Sequence, residues 1–178
     1  MGENICDAGK VLGPARAAVD RLDNHPGTPH CRRRKRGAQN QAIGRSVGGR
    51  TTKVHLITDG EGRPRVIQLT PGNTNDHKPA QRCFEQMPPA RYVIADKGYD
   101  SAQLRQWLEQ LGCQPVIPPR RNRKVLYRYD PSLYKERNII ERTINRFKDW
   151  RRIATRFDRY AFVFLAALSI VAVVTWWT

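Results

Sequence analysis

Apolar and polar positions alternate along residues 51–58 and again along residues 64–70. A side-chain period of two is typical of β-strands that bury one face. The two stretches are separated by a turn that contains Asp59 and Gly60, a pair that favours the tight turns of β-hairpins. We therefore predict an antiparallel hairpin whose second strand ends at Pro71.

After the hairpin, helical and strand-like patterns alternate, and this order is typical of an α/β domain. Prolines and glycines mark most of the boundaries. The predicted elements are, in chain order, a helix capped by Asp76 that runs to about residue 86, a strand over residues 91–96, a helix over residues 101–111, a short strand over residues 114–117 and a long helix that begins near Tyr134.

The C-terminal end of the chain, residues 161–177, contains no charged residue. Basic residues precede this run, and Trp176 and Trp177 end it. One interpretation is a short transmembrane helix, which would make the chain a basic tail-anchored membrane protein. The other is a helix that is buried on all sides against a sheet.

The composition adds a strong positive charge to this pattern. The chain has 178 residues, of which 32 are lysine or arginine and 16 are aspartate or glutamate, for a formal net charge of +16. The length suits one domain, and the charge favours a polyanionic partner, above all nucleic acid. Four cysteines without a Cys-x-x-Cys pair or a secretory signal indicate reduced thiols and a cytoplasmic location.

Charge and apolar residues are distributed unevenly. Residues 1–36 contain few large apolar side chains and end in the basic run 32–36, so we predict a poorly structured basic N-terminal segment in which residues 1–16 pack least. Residues 37–178 are predicted to form the domain. A second basic run, residues 120–124, directly precedes the long helix, and this position favours a role in holding an anionic ligand.

Candidate chemistry is concentrated in the long helix. Arg137 and Glu141 are four residues apart and share a helical face, and Lys148 follows two turns later on that face. A solvated helix with one internal ion pair would explain Arg137 and Glu141 as well. Together with Tyr134, however, the set surrounds a carboxylate with a phenol and two cations, which suits a metal ion held against a phosphate backbone.

A second carboxylate, Asp96, comes at the end of the strand predicted over residues 91–96. Open α/β sheets place functional groups at the carboxyl ends of their strands. Gly98 permits the sharp turn that follows, and Asp100 or Ser101 can cap the next helix. Strand-end aspartates also occur in inert α/β proteins, so Asp96 alone does not establish a site.

Both motifs are similar to those of one known family. The spacing Tyr-x2-Arg-x3-Glu-x6-Lys that begins at Tyr134 resembles the signature around the last acidic residue of DDE transposases encoded by bacterial insertion sequences. The segment around Asp96 is similar to the second-aspartate motif of the same family. Further similar blocks are residues 42–56, 69–72 and 151–158, so the resemblance extends from about residue 41 to residue 177.

The resemblance implies an α/β fold, namely a ribonuclease H-like mixed sheet flanked by helices, with the C-terminal apolar helix packed on the core. The predicted elements agree with that order if one more strand precedes the hairpin. The implied function is that of a transposase, which binds the DNA of its element and carries out metal-dependent phosphodiester cleavage and strand transfer. Packing of residues 161–177 on the core is then favoured, and no stable membrane association is expected.

The resemblance also implies roles for individual residues. Asp96 and Glu141 would be two of three catalytic carboxylates that hold Mg²⁺ or Mn²⁺. DNA, at the element ends and at the target, is the expected partner, and a homodimer is an open alternative to a monomer. The expected DNA-binding residues are Tyr134, Arg137, Lys148, Arg120, Arg121, Arg123 and Lys124.

The first catalytic aspartate is where the chain departs from the family pattern. The register falls near Asp20 and Asp23, but neither is followed closely by the expected threonine or serine. We take Asp20 as the candidate for the third catalytic, metal-binding carboxylate. The departure predicts an N-terminus that is truncated or disrupted by a reading-frame slip. The alternative function is a catalytically defective remnant that only binds DNA non-specifically.

Overall fold

The computed structural model describes residues 13–23, 41–46, 49–74, 77–87, 90–123 and 127–178, with the backbone alone for residues 13–23 and for Ser46, His77 and Lys78. Within these ranges the strands are β1 (Gly13–Asp23), β2 (Gly44–Ser46), β3 (Gly49–Thr58), β4 (Pro64–Pro71), β5 (Tyr92–Ile94) and β6 (Gln114–Val116). The helices are α1 (His77–Glu85), α2 (Ala102–Gln110), α3 (Pro131–Tyr134), α4 (Asn138–Lys148), α5 (Arg151–Ala154) and α6 (Ala161–Trp176), and 3-10 turns cover Lys97–Tyr99 and Lys135–Arg137.

The strands form one mixed sheet in the order β2-β3-β1-β5-β6, with β4 also paired to β3. β3 runs antiparallel to β1, β2 and β4, whereas β1, β5 and β6 run parallel to one another. The predicted hairpin is confirmed as β3 and β4. In its turn the Asp59 carboxylate accepts hydrogen bonds from the amides of Glu61 (3.0 Å) and Arg63 (2.9 Å). Antiparallel and parallel pairing therefore meet at β1.

β1 is one further strand ahead of the hairpin, and residues 13–23 differ here from the prediction of a poorly structured segment. Their backbone pairs with β3 on one edge and with β5 on the other. Pairing on two edges satisfies peptide groups even where few large apolar side chains favour order. Residues 1–12 and 24–40 lie outside the described residues, and the domain boundary at residue 37 stays a prediction.

Apolar clusters lie on both faces of the sheet. Neighbouring side chains of β3 point to opposite faces of the sheet, so Leu56 belongs to one cluster and Ile57 to the other. The Ile57 cluster includes Phe84 of α1 and Leu108 of α2. The Leu56 cluster includes residues of α4, α5 and α6, among them Phe164. The chain is therefore an α/β protein with helices on both sides of a mixed sheet.

The C-terminal apolar run forms α6, and the prediction that it packs on the core is confirmed. Phe164 and Leu168 are buried in the Leu56 cluster, whereas Phe162 and Ile170 lie on the exposed face of the same helix. α6 has 16 residues. Throughout the part of the chain that the structure describes, no helix is both long enough and apolar enough to cross a membrane.

The long helix predicted to begin near Tyr134 is divided. Asp130 caps α3 with its carboxylate, and Pro131 occupies the first position of that helix. The 3-10 turn Lys135–Arg137 then connects α3 to α4. The tighter turn lies immediately before the helix that contains Glu141.

One close contact sets the position of α4 against the sheet. The hydroxyl of Thr143 donates a hydrogen bond to the carbonyl oxygen of Gly62 in the β3–β4 turn, at 2.8 Å. Gly62 has a φ of +84°, and a Cβ atom there would lie 2.9 Å from the Thr143 hydroxyl oxygen and 3.2 Å from Ile139 Cγ2. The turn therefore requires glycine at this position for two reasons, its backbone conformation and the space available.

Candidate active site

Asp96 follows β5 at its carboxyl end. The buried residue before it, Ala95, donates its amide hydrogen to the carbonyl of Val116 at 3.3 Å, which ties the strand end to β6. Asp96 then caps the 3-10 turn, and its Oδ1 accepts a hydrogen bond from the amide of Lys97 at 2.8 Å. Its side chain is 30% exposed. The carboxylate is thus oriented by the turn and remains open to solvent.

Glu141 reaches the same place from α4. Nη2 of Arg137 donates to Oε1 of Glu141, and Nη1 of Arg137 lies 3.5 Å from Oδ1 of Asp96. The two carboxylates are 45 positions apart in the chain, yet both contact one guanidinium. The sequence prediction that Asp96 and Glu141 come together therefore agrees with the geometry.

Tyr134 also contacts Arg137. Its hydroxyl oxygen accepts a hydrogen bond from Nη1 of Arg137 at 3.3 Å. Partial burial on its own lowers the pKa of Arg137, but the interactions with Tyr134, Glu141 and Asp96 outweigh it and raise the pKa. Arg137 therefore stays fully cationic at the centre of the group.

Packing of α4 decides which way Glu141 points. Ile140, Thr143 and Phe147 are the buried residues of this helix, and Ile140 and Phe147 belong to the Leu56 cluster. Glu141 is 43% exposed. Lys148 is also exposed, seven residues or about 10 Å along the helix axis from Glu141.

A further carboxylate, Asp100, lies four residues after Asp96 and is fully buried. Its Oδ1 accepts hydrogen bonds from Nε (3.0 Å) and Nη2 (2.9 Å) of Arg105. Its Oδ2 accepts one from the amide of Arg120 (2.9 Å) and lies 2.9 Å from Nη1 of Arg123. Burial on its own raises the pKa of Asp100, but these hydrogen bonds and charges outweigh it and hold the pKa below its usual value.

Sequence reasoning missed this buried cluster. It assigned Asp100 or Ser101 to the cap of α2, and Ser101 does occupy the cap position, although without a side-chain hydrogen bond to the helix. Arg105 is 2% exposed and also donates to the carbonyl of Ile117 at 2.6 Å. In the sequence, the one sign of this cluster was an arginine placed among the leucines of an amphipathic helix.

Two of the arginines expected to bind DNA make contacts within the protein. Arg120 donates from Nε to the carbonyl of Lys97 (3.2 Å) and from Nη2 to the carbonyl of Gly98 (2.6 Å). Arg123 lies between Asp100 and the ring of Tyr127, with its guanidinium carbon 4.7 Å from the ring centroid. Structural contacts therefore occupy much of the hydrogen-bonding capacity of both side chains.

The other expected residues of the basic run differ from these two. Arg121 is exposed on the surface of the loop. Lys124 lies outside the described residues. The run predicted as one basic patch thus contains the exposed Arg120 and the partly buried Arg123, which both contact the protein, beside the exposed Arg121.

Asp20 lies in β1, where the backbone alone is described. β1 pairs in parallel with β5 at Gly13 and Pro14, and its antiparallel pairing with β3 shifts register between Ala18 and Leu22, so Asp20 lies in an irregular part of the strand. β1 also contacts the 3-10 turn Lys135–Arg137 and α4, the elements that contain Arg137 and Glu141.

No group of three or more histidine, cysteine, aspartate or glutamate side chains suited to a metal ion occurs among the side chains that the structure describes. The candidate site consists there of two carboxylates, Asp96 and Glu141, joined by Arg137. Both carboxylates are partly exposed, and both contact the same cationic side chain.

Comparison with known proteins connects these residues to one family. The family described as the transposase DDE domain matches residues 24–176. This range contains Asp96 and Glu141, and Asp20 lies ahead of it. No solved structure matches the chain.

Three relatives are named for insertion sequences. A candidate transposase for element IS6501 of Brucella ovis is 32% identical over 127 residues, which cover 71% of this chain and 98% of the relative. A candidate transposase for element IS402 of Burkholderia cepacia is 33% identical over 130 residues, 67% of this chain and 59% of that protein. The transposase for element IS1106 of Neisseria meningitidis serogroup B is 40% identical over 65 residues, 36% of this chain and 23% of that protein. The chain belongs to the family of DDE-domain transposases encoded by insertion sequences.

Proposed function

We propose that this transposase cuts and joins DNA strands at the ends of its element with Asp96 and Glu141 as metal-binding carboxylates. The observation that supports the proposal is their convergence on Arg137, one from the end of β5 and one from α4. The strand order also supports it, because a parallel half and an antiparallel half that meet at β1 are what a ribonuclease H-like sheet requires.

The donor set fits a divalent metal, as the family implies. Carboxylate oxygens are the ligands that Mg²⁺ prefers, and Mn²⁺ accepts the same ligands. The contact of both carboxylates with one guanidinium places a positive charge between them in the fold itself. When bound, the metal would supply activation of the attacking hydroxyl and stabilisation of the leaving oxygen. Asp96 and Glu141 would hold it, and Mg²⁺ is the proposed ion.

DNA is the substrate of the family, and we assign its contacts here to cations near the carboxylates and to the phenol of Tyr134. Arg137 and Tyr134 lie beside Glu141, and Lys148 follows on the same helix. Arg121 and Lys124 extend the positive charge in sequence. Arg120 and Arg123, which contact the protein, contribute charge but hold fewer donors for a phosphate. Binding that depends on many such contacts falls steeply with salt.

Asp20 remains the proposed third carboxylate on residue type alone. The alternative is a remnant that binds DNA without cutting it, because neither Asp20 nor Asp23 is followed closely by the expected threonine or serine. A homodimer and a cytoplasmic location also stay predictions.

Specific nicking at the element ends tests the proposal. Purified protein with Mg²⁺ or Mn²⁺ should cut a duplex that contains an end sequence, and Asp96→Asn and Glu141→Gln should each abolish cutting. Glu109→Gln, which removes an exposed carboxylate from α2, is the matched control and should cut normally. Cutting that survives in Asp96→Asn would refute the metal assignment. Binding without any cutting by the unaltered chain would establish the remnant instead.

A further inference from the structure

Arg120 occupies an unusual position for a residue in a basic loop. It is 24 positions after Asp96 in the chain, yet its guanidinium donates to the carbonyls of Lys97 (3.2 Å) and Gly98 (2.6 Å), the two residues that directly follow that carboxylate. Its backbone amide donates to the buried carboxylate of Asp100 at 2.9 Å. Residue 120 therefore contacts the 3-10 turn through its side chain and the residue that ends the turn, Asp100, through its main chain.

The turn that Arg120 contacts also determines the orientation of Asp96. The amide of Lys97 donates to Oδ1 of Asp96 at 2.8 Å, and the amide of Tyr99 donates to the carbonyl of Asp96 at 2.9 Å. From the inside the turn is held by Tyr99, whose hydroxyl lies 3.1 Å from Nδ1 of the buried His55. On the outside, the Arg120 guanidinium binds the carbonyls that face away from the core.

We infer that Arg120 is a positioning residue for Asp96, which acts by holding the Lys97–Tyr99 turn and not by gripping DNA. The inference rests on the proposed function, since it assumes that Asp96 binds the metal. A planar guanidinium binds two adjacent carbonyls in a fixed geometry, which restricts the turn. If the turn loosens, the Lys97 amide moves, and the carboxylate that it orients moves with it.

Mn²⁺ binding without DNA separates this role from phosphate contact. Loss of a cation close to the turn that contains Asp96 should by charge alone tighten metal binding. Loss of a positioning contact should weaken it, by about 10-fold for partners of metal ligands. The two roles of Arg120 thus predict opposite signs for the same variant.

The experiment compares Arg120→Gln with Arg121→Gln, a matched control that removes the same charge from the next residue in the loop. We expect the Mn²⁺ dissociation constant, followed by electron paramagnetic resonance, to rise about 10-fold in Arg120→Gln and not to rise in Arg121→Gln. Hydrogen exchange of the amides of residues 97–100 should accelerate in Arg120→Gln alone. Arg120→Lys keeps the charge but not the planar fork, and its dissociation constant should fall between those of the wild type and Arg120→Gln.

Asp96→Asn distinguishes failure of this inference from failure of the proposed function. Loss of Mn²⁺ binding in Asp96→Asn together with unchanged or tighter binding in Arg120→Gln would overturn the positioning role alone. Unchanged Mn²⁺ binding in Asp96→Asn would overturn both. If Arg120→Gln does not fold, Arg120→Lys decides, because a wild-type dissociation constant with unchanged exchange would overturn the inference.

Discussion

Two aspartates four residues apart, Asp96 and Asp100, are both paired with arginine, yet their surroundings are opposite. Asp100 is fully buried and has contacts from two guanidiniums and one backbone amide. Asp96 is 30% exposed and has one amide hydrogen bond and one contact of 3.5 Å with Arg137. One carboxylate is enclosed by its partners, and the other is left accessible.

The difference separates a structural ion cluster from a candidate catalytic one. A buried charge is tolerated only when its partners are complete, so the arrangement around Asp100 cannot change without a large cost. An exposed carboxylate is stabilised by water when it exchanges one partner for another. The proposed metal site at Asp96 and Glu141 therefore requires only that an exposed pair give up Arg137, whereas Asp100 cannot give up Arg105.

The largest expected effect is on stability. Asp100→Asn should lower the free energy of unfolding by about 3–5 kcal/mol, because it leaves Arg105 buried without its compensating charge. Asp96→Asn, the matched change in the exposed cluster, should alter it by less than about 1 kcal/mol. Urea unfolding of both variants measures this. Equal losses of unfolding free energy in the two variants would mean that the two aspartates do not differ in their contribution to stability.

The second largest expected effect is on DNA cleavage. Glu141→Gln should reduce nicking by more than about 100-fold, since a metal ligand should matter at least as much as the residues that support one. It should leave DNA affinity unchanged or raised, because it removes a negative charge near the phosphates. Gel-shift titration at fixed salt, beside the nicking assay, reports both. A several-fold drop in affinity would instead identify Glu141 as a structural partner of Arg137.

A smaller effect is expected at Arg137. Arg137→Gln removes the cation that competes for both carboxylates, so Mn²⁺ should bind about fivefold more tightly, equivalent to about 1 kcal/mol. Arg142→Gln, an exposed arginine on the same helix, is the control for net charge. Weaker binding in Arg137→Gln than in this control would mean that Arg137 assembles the carboxylates and does not compete for them.

The smallest expected effect concerns pH. The pKa of Asp100 is lower in the folded chain than the value of about 4 expected when unfolded. Its contribution to stability is therefore complete above that unfolded value and is lost as the pH falls through the folded pKa. Unfolding free energies measured from about pH 5 downwards should decline more steeply for the wild type than for Asp100→Asn. If the unfolding free energies of the wild type and Asp100→Asn fall with pH in the same way, Asp100 is not the source of the pH dependence.

Local patterns predicted the elements whose causes are local. The hairpin follows from alternation and from its Asp59-Gly60 turn, and the pairing of Arg137 with Glu141 follows from helical spacing. Asp96 was predicted at a strand end, where open sheets present functional groups, and it does follow β5. Each of these depends on neighbours within a few residues or on the general architecture.

Long-range contacts were not predictable in the same way. Arg120 and Arg123 looked like solvated members of a basic run, and their partners lie about 20 residues earlier in the chain. β1 has few of the large apolar residues that identify a buried strand, and its order comes from pairing on two edges. Nothing in local composition signals either effect, because both depend on which segments the fold brings together.

The contact between Gly62 and Thr143 limits which substitutions the hairpin turn tolerates. The hairpin tip touches α4 just beyond Glu141, with no room for even a methyl group. In Gly62→Ala, the added methyl group would push against α4 and tilt this helix, while most of the core stays packed. A transposase of this family could thus lose activity through one substitution outside its acidic residues. A comparison of the acidic residues alone would classify that transposase as intact.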